Sequence, residues 1–262
     1  QPLAGMAASP AVEGAPADAR PPGPLTVEEK AQLKTLIDEA RALAPTPETA
    51  QLEATVSEAL GVLANRERPD VEGRLLGLLG RHYDQQGQPD AAVTAYQRAA
   101  EKFQAAALPD RQARTLYAAA AILDERGRLD EAAGLYETVA ALDTDAGDHL
   151  NLAQTLNELG TLRFRQGENA AALDHLKQGY QAMRQLPEPP AFAADLLSNL
   201  ATVYRGEKQY DSAEKAYKLS LKAARAQGDA AGYNGTLQAL AATYLEANRP
   251  EDAMKALSLL RQ

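Results

Sequence analysis

In 262 residues the chain sets 36 acidic against 27 basic side chains, a net charge of −9 with no dense Lys/Arg run, which argues against nucleic acid as a partner. With no cysteine it can form no disulfide, thiolate metal site or cysteine nucleophile, and no run of about 18 apolar residues is present to span a membrane. Apolar residues make up 45% but aromatics only 5%, with alanine taking much of the apolar share, a balance that suits closely packed helices and an all-α fold.

Residues 1–24 are rich in Pro, Ala and Gly and show no apolar periodicity, the composition of a flexible linker. Within them Leu3-Ala4-Gly5-Met6 is similar to the cleavage-site tetrapeptide of bacterial lipoproteins with Met in place of Cys. That likeness points to a periplasmic or outer-membrane-tethered protein; a vector remnant, a chance tetrapeptide and a cytoplasmic location remain open. From Leu25 helix formers take over. Thr26 with Glu29 three residues on predicts a capping box and a helix to about Leu43. Thr46 followed by Pro47 predicts the cap and first position of a second helix to about Ala64. Residues 25–69 are thus a helical pair, either a cap or a degenerate hairpin.

Residues 70–262 repeat. A small residue recurs at Gly80, Ala120, Gly160, Ala201 and Ala241, at offsets of 40, 40, 41 and 40. Twelve positions after each stands Ala92, Ala132, Ala172, Ala213 or Ala253, and four further on Tyr96, Tyr136, Leu176, Tyr217 or Leu257. Small residues let two helices approach, and the large residue one turn on fills the space beside them. Turns such as Gly87-Gln88-Pro89-Asp90 and Gly127-Arg128-Leu129-Asp130 place Gly where a helix ends in positive φ. Asp90, Asp130, Asn169 and Asp211 are then expected to cap the following helices. One hairpin cannot bury its apolar face, so neighbours must stack.

Leu79-Gly80-Tyr83 with Ala92-Tyr96 resembles the tetratricopeptide signature, as do Leu200-Ala201-Tyr204 with Ala213-Tyr217 and Leu240-Ala241-Tyr244 with Ala253-Leu257. Two units depart, with Leu123 and Arg163 in place of the Tyr, and Leu76, Leu116, Leu156, Leu197 and Leu237 stand for the usual Trp. The period of about 40 is similar to the long-helix subclass of kinesin light chains and bacterial peptide-sensing regulators. The resemblance implies a right-handed superhelical solenoid of about twelve helices whose concave face, made by the first helix of each unit, binds a protein or peptide.

Projected from the small anchors, the groove-facing candidates are Arg74, Arg81 and Asp84; Arg114, Tyr117 and Asp124; Asn157, Thr161 and Arg165; Ser198, Asn199, Thr202 and Arg205; and Gln238. In related repeats Asn at the positions of Asn157 and Asn199 bonds a bound peptide's backbone, for which an amide supplies donor and acceptor. Gly77 and Arg81 replace the Lys and Asn of the carboxylate-clamp adaptors, so chaperone tails are not the expected ligand. The arginines favour a partner with acidic residues.

Chemistry beyond binding finds no support. His82, His149 and His175 lack metal-ligand spacing and read as solvated or half-buried helix residues. Asp143, Asp145 and Asp148 begin a calcium-loop pattern that fails at Gly147, Asp148 and Gln154. No nucleophile elbow, P-loop or dinucleotide fingerprint occurs, and no cofactor is expected. The sequence therefore reads as a non-enzymatic protein-interaction scaffold, with an envelope assembly or secretion accessory factor as the role that residues 3–6 suggest. The alternative is a ligand- or peptide-responsive sensor, whose output domain would need a longer native chain. On the final helix Ala253, Ala256, Leu257 and Leu260 are expected to pack against Leu240 and Tyr244. Met254 and Leu259 flank that face and are expected to be exposed, which makes a homodimer through this helix one way to cover them.

Overall fold

The computed structural model describes residues 23–64 and 66–261, so most of the Pro/Ala/Gly-rich stretch, Leu3-Ala4-Gly5-Met6 included, lies outside the described residues. The described residues form twelve α-helices and a closing 3-10 turn, with no strand among them. They fall into two compact units that meet in sequence between Arg128 and Leu129. The first holds α1 (Val27–Leu43), α2 (Thr49–Leu63), α3 (Pro69–Gln85), α4 (Pro89–Ala105) and α5 (Pro109–Glu125). The second holds α6 (Leu129–Ala146), α7 (His149–Arg165), α8 (Asn169–Met183), α9 (Ala193–Gly206), α10 (Tyr210–Gln227), α11 (Ala230–Glu246) and α12 (Pro250–Ser258).

Helix starts follow local chemistry, with corrections. The α1 capping box is present: Glu29 N donates to Thr26 Oγ1 (3.1 Å) and Thr26 N to Glu29 Oε2 (2.8 Å). Thr46 does not cap α2, which begins at Thr49 after Glu48; its hydroxyl instead donates to Leu43 O at 2.8 Å, closing the end of α1. Asp90, Asp130 and Asp211 do not cap either. Each lies second in its helix, and Asn169 opens α8, behind Gln88, Glu168 and Gln209 as caps without side-chain bonds. The carboxylates stay favourable there as first-turn charges on the helix dipole.

The reason is the turn. In eight connections a backbone N–H bonds the carbonyl five residues earlier at 2.7–2.9 Å. In the first unit these are Gln88 to Tyr83, Leu108 to Phe103 and Arg128 to Leu123; in the second, Asp148 to Asp143, Glu168 to Arg163, Gln209 to Tyr204, Asp229 to Ala224 and Arg249 to Tyr244. This Schellman closure places the next helix one residue past the bond. Where that donor residue is Asp its side chain caps after all: Asp148 accepts from Asn151 N at 3.0 Å and Asp229 from Gly232 N at 2.9 Å. The residue before each donor is left-handed. Gly87, Gly127, Gly147, Gly167 and Gly228 fill five of these positions, but Ala107 (φ 52°), Lys208 (φ 56°) and Asn248 (φ 58°) fill the others.

Packing follows the small-to-large register. A Cβ added to Gly80 would lie 2.6 Å from the Tyr96 ring, and one at Gly160 2.6 Å from Leu176. Ala92, Ala132, Ala172 and Ala213 are fully buried, and Ala201, Ala213, Tyr217, Leu240, Ala241 and Tyr244 share one core cluster. Ala253 and Ala256 join that cluster, whereas Leu257 is 41% exposed and does not pack inward as expected. Met254 and Leu259 are exposed as expected.

The α1–α2 pair is held to α3 by polar bonds. His82, expected to be solvated or half-buried, is completely buried. Its Nδ1 stands 3.0 Å from Ala44 O, to which Nδ1–H donates, and its Nε2 shares a hydrogen bond with Thr49 Oγ1 at 2.8 Å. Buried Arg66 donates to both Glu29 oxygens (2.9 and 3.2 Å) and to Gly23 O (2.8 Å), tying the start of α1 to the segment between α2 and α3.

Two substitutions test this account. Ala213→Trp should destabilise by more than the about 1–3 kcal/mol of ordinary overpacking, because an indole has no space at a closed helix contact. Lys208→Gly should stabilise by about 0.5–1 kcal/mol by relieving the left-handed backbone. Thermal melts followed by circular dichroism read both; a Trp variant that melts like the parent would refute the packing register.

Candidate functional site

In the first unit α1 and α3 neighbour one another, and a cavity of about 230 Å3 lies between them. Ile37 and Arg41 line it from α1, and Val71, Arg74, Leu75, Leu78 and Arg81 from α3. Arg74 and Arg81 were marked by the repeat register; Arg41 was not, because α1 carries no repeat motif to register it. Arg74 Nη2 lies 3.6 Å from Asp70 Oδ2, and Arg41 Nη1 3.6 Å from Asp38 Oδ1. On α5, Arg114 is exposed and Tyr117 and Asp124 are half-buried; none of them lines this cavity.

In the second unit α7, α9 and α11 present the corresponding faces. Asn157 is buried, and its Oδ1 accepts from Asn199 Nδ2 at 3.0 Å; the same Nδ2 lies 3.3 Å from Thr161 Oγ1. The Thr161 hydroxyl donates to Asn157 O (2.8 Å), and that of Thr202 lies 2.9 Å from Ser198 O and 3.0 Å from the Tyr217 hydroxyl. The two asparagines, 42 positions apart, thus form one bridge between α7 and α9. Among the described residues the bridge leaves one donor, Asn157 Nδ2, and one acceptor, Asn199 Oδ1, without a protein partner. Arg205 Nε reaches to 3.9 Å from Glu246 Oε1 on α11. Arg165 and Gln238 are exposed and take no part in the bridge.

Arg163, in place of the repeat's Tyr, uses its charge structurally: it binds Glu137 Oε1 on α6 at 2.6 Å and Glu168 Oε2 at 3.1 Å. His175 is half-buried with Nδ1 unpartnered, and burial pushes its pKa below the usual imidazole value. His149 is exposed at the start of α7. Among the described residues no group of three or more His, Asp or Glu could hold a metal. Asp148, from the aborted calcium-loop pattern, caps α7 instead.

An ionic cluster fixes α11 between α10 and α12. Glu214 accepts from Lys218 (2.6 Å) and Arg249 (2.6 Å), while Arg249 also binds Asp252 and lies 4.6 Å over the Tyr244 ring. Burial by itself would raise the Glu214 carboxyl. Hydrogen bonds from Lys218, Arg249 and Tyr244 outweigh that and hold it at about 2.

These observations define an all-α repeat protein of stacked helix–turn–helix hairpins with polar faces on its first helices. Residues 71–145, 111–185 and 192–258 match the tetratricopeptide repeat family, and the chain belongs to that family. BtubC (BKLC) from P. vanneervenii is similar in structure, with a TM-score of 0.64 and 19% identity over 90% of this chain and 91% of that one. A Podosopora anserina putative kinesin light chain with nearly identical TPR-like repeats gives 0.59 and 20% over 74% and 95%. The apo form of RapI gives 0.60 and 12% over 89% and 96%. At these identities the likeness is one of fold. No curated protein sequence matches the chain.

Glu214 supplies a pH test. Its folded pKa is depressed from 4.5 to about 2, so its contribution is complete above pH 4.5 and is lost as the pH falls toward 2. Glu214→Gln should cost about 1 kcal/mol at neutral pH, allowing for solvent screening. The gap to the parent should begin to narrow below about pH 4.5 and close only as the pH approaches about 2. Urea denaturation across that range reads the effect.

Proposed function

We propose that this chain is a non-enzymatic scaffold that binds another polypeptide on the faces presented by the first helices of its hairpins. The observation that carries this reading is the Asn157–Asn199 bridge. Its unspent amide donor belongs to α7 and its unspent carbonyl acceptor to α9, the two kinds of group that an extended backbone offers in return. The arginines on α3 and α9 add a preference for acidic partners, because a guanidinium pairs bidentately with a carboxylate. A role in the bacterial envelope belongs to this proposal on the strength of residues 3–6 alone.

The test begins with peptides selected by display against the full chain. In the triple variant Asn157→Ala, Asn199→Ala, Arg205→Ala, selected peptides should bind at least about tenfold more weakly, a loss of about 1.4 kcal/mol. Helix content by circular dichroism should stay at the parent level. Unchanged affinity, or a selection that yields no binder, removes the reading.

A further inference from the structure

The cavity between α1 and α3 combines an aliphatic floor with a rim of cations. Val71 and Leu75 are buried, Ile37 and Leu78 half-buried, and Arg41, Arg74 and Arg81 stand exposed around them. The rim's charge is weakly compensated. Among the described residues Arg41 and Arg74 bond only within their own helices: each meets a carboxylate at 3.6 Å on exposed side chains, where such pairs contribute at most about 0.5 kcal/mol, and Arg74 Nε also donates to Asp70 O at 3.3 Å. Asp70, the partner of Arg74, is already held by Arg68 at 3.0 and 3.3 Å. Arg81 makes no ion pair or hydrogen bond among the described residues; its neighbouring carboxylate, Asp84, is exposed one turn on. Three closely set guanidiniums over an apolar floor stand out in a chain whose net charge is −9.

Spacing adds to the charge. Arg74 and Arg81 are seven residues apart on one helix face, about 10.5 Å at 1.5 Å per residue, with Leu78 between them. An extended chain returns side chains to one face every second residue, so positions i and i+4 lie about 13 Å apart with i+2 midway. Arginine side chains span the remaining difference of about 1 Å at each end. We infer that this cavity docks an extended segment of a partner protein in which an aliphatic side chain stands between two carboxylates, two residues to either side. The aliphatic group seats on Leu75 and Leu78, the carboxylates pair with Arg74 and Arg81, and Arg41 closes the site from α1. The inference rests on the reading of the chain as a polypeptide-binding scaffold and specifies what its α1–α3 face accepts.

The probe is a fluorescein-labelled amide of sequence Gly-Ser-Glu-Ser-Leu-Ser-Glu-Ser-Gly, titrated with the full chain by fluorescence anisotropy at low ionic strength. Binding should weaken about tenfold when the probe's Leu becomes Gly and when the protein carries Arg81→Gln, each loss matching one buried side chain or one charge-assisted contact, and by more than tenfold when both probe Glu become Gln and two such contacts go. Arg81 is exposed and unpaired, so circular dichroism should show Arg81→Gln folded as the parent. The triple variant at Asn157, Asn199 and Arg205 should hold the probe unchanged, which separates failure here from failure of the second unit's bridge. No binding up to about 1 mM, or binding indifferent to both Arg81→Gln and Arg74→Gln, overturns the inference. So does decanoate binding in this cavity where the peptide does not, an outcome that assigns the site to a free amphiphilic carboxylate.

Discussion

Close approach of two backbones within each hairpin is the constraint on which the other features depend. At Gly80 and Gly160 nothing larger than hydrogen fits, because a Cβ would stand 2.6 Å from Tyr96 or Leu176. Ala201 fills the same place beside a completely buried Tyr217. With the helices that close, the chain must reverse in three residues, and the Schellman turn does so only through a left-handed position. The turn is kept even where no glycine is present: Ala107, Lys208 and Asn248 take positive φ although a side chain there costs about 1–2 kcal/mol. Packing thus overrides local preference.

Where the small-residue register is missing, polar bonds take over. The α1–α2 pair has no equivalent of Gly80, and buried His82 and Arg66 hold it by bonds to backbone carbonyls, a hydroxyl and a carboxylate. Such groups are costly to bury without partners, so they specify position as well as contact. The segment between α8 and α9 departs in another way. Residues 184–192 contain Pro187, Pro189 and Pro190, which cannot continue a helix, and the short turn used elsewhere is replaced by a longer joint. Gln227 Nε2 fastens it by donating to Pro190 O at 2.9 Å.

The same architecture carries two chemistries. In the first unit the α1–α3 face is aliphatic and cationic; in the second the α7–α9 face is built of amides and hydroxyls. Neither difference displaces the small-to-large packing: Ala201, Ala213 and Tyr217 share one core cluster even though Thr202 bonds the Tyr217 hydroxyl. Function in such a fold resides in these grafted faces, not in the repeat itself.

Sequence by itself determined the hairpins: their period, the pairing of small with large residues, the glycines at left-handed turns and the Thr26 capping box. Each of these depends on residues a few positions apart or on a register that repeats, and periodicity records both. Tertiary structure alone decided which aspartates cap, since Asp148 and Asp229 do so only because the turn delivers them to the right place. It decided that His82 is buried and that Leu257 is not. It joined Asn157 to Asn199 and set Arg41 beside Arg74 and Arg81, residues that belong to different hairpins. Periodicity fixes which way a side chain faces on its own helix; which side chain of a neighbouring hairpin it meets is set by how the helices stack.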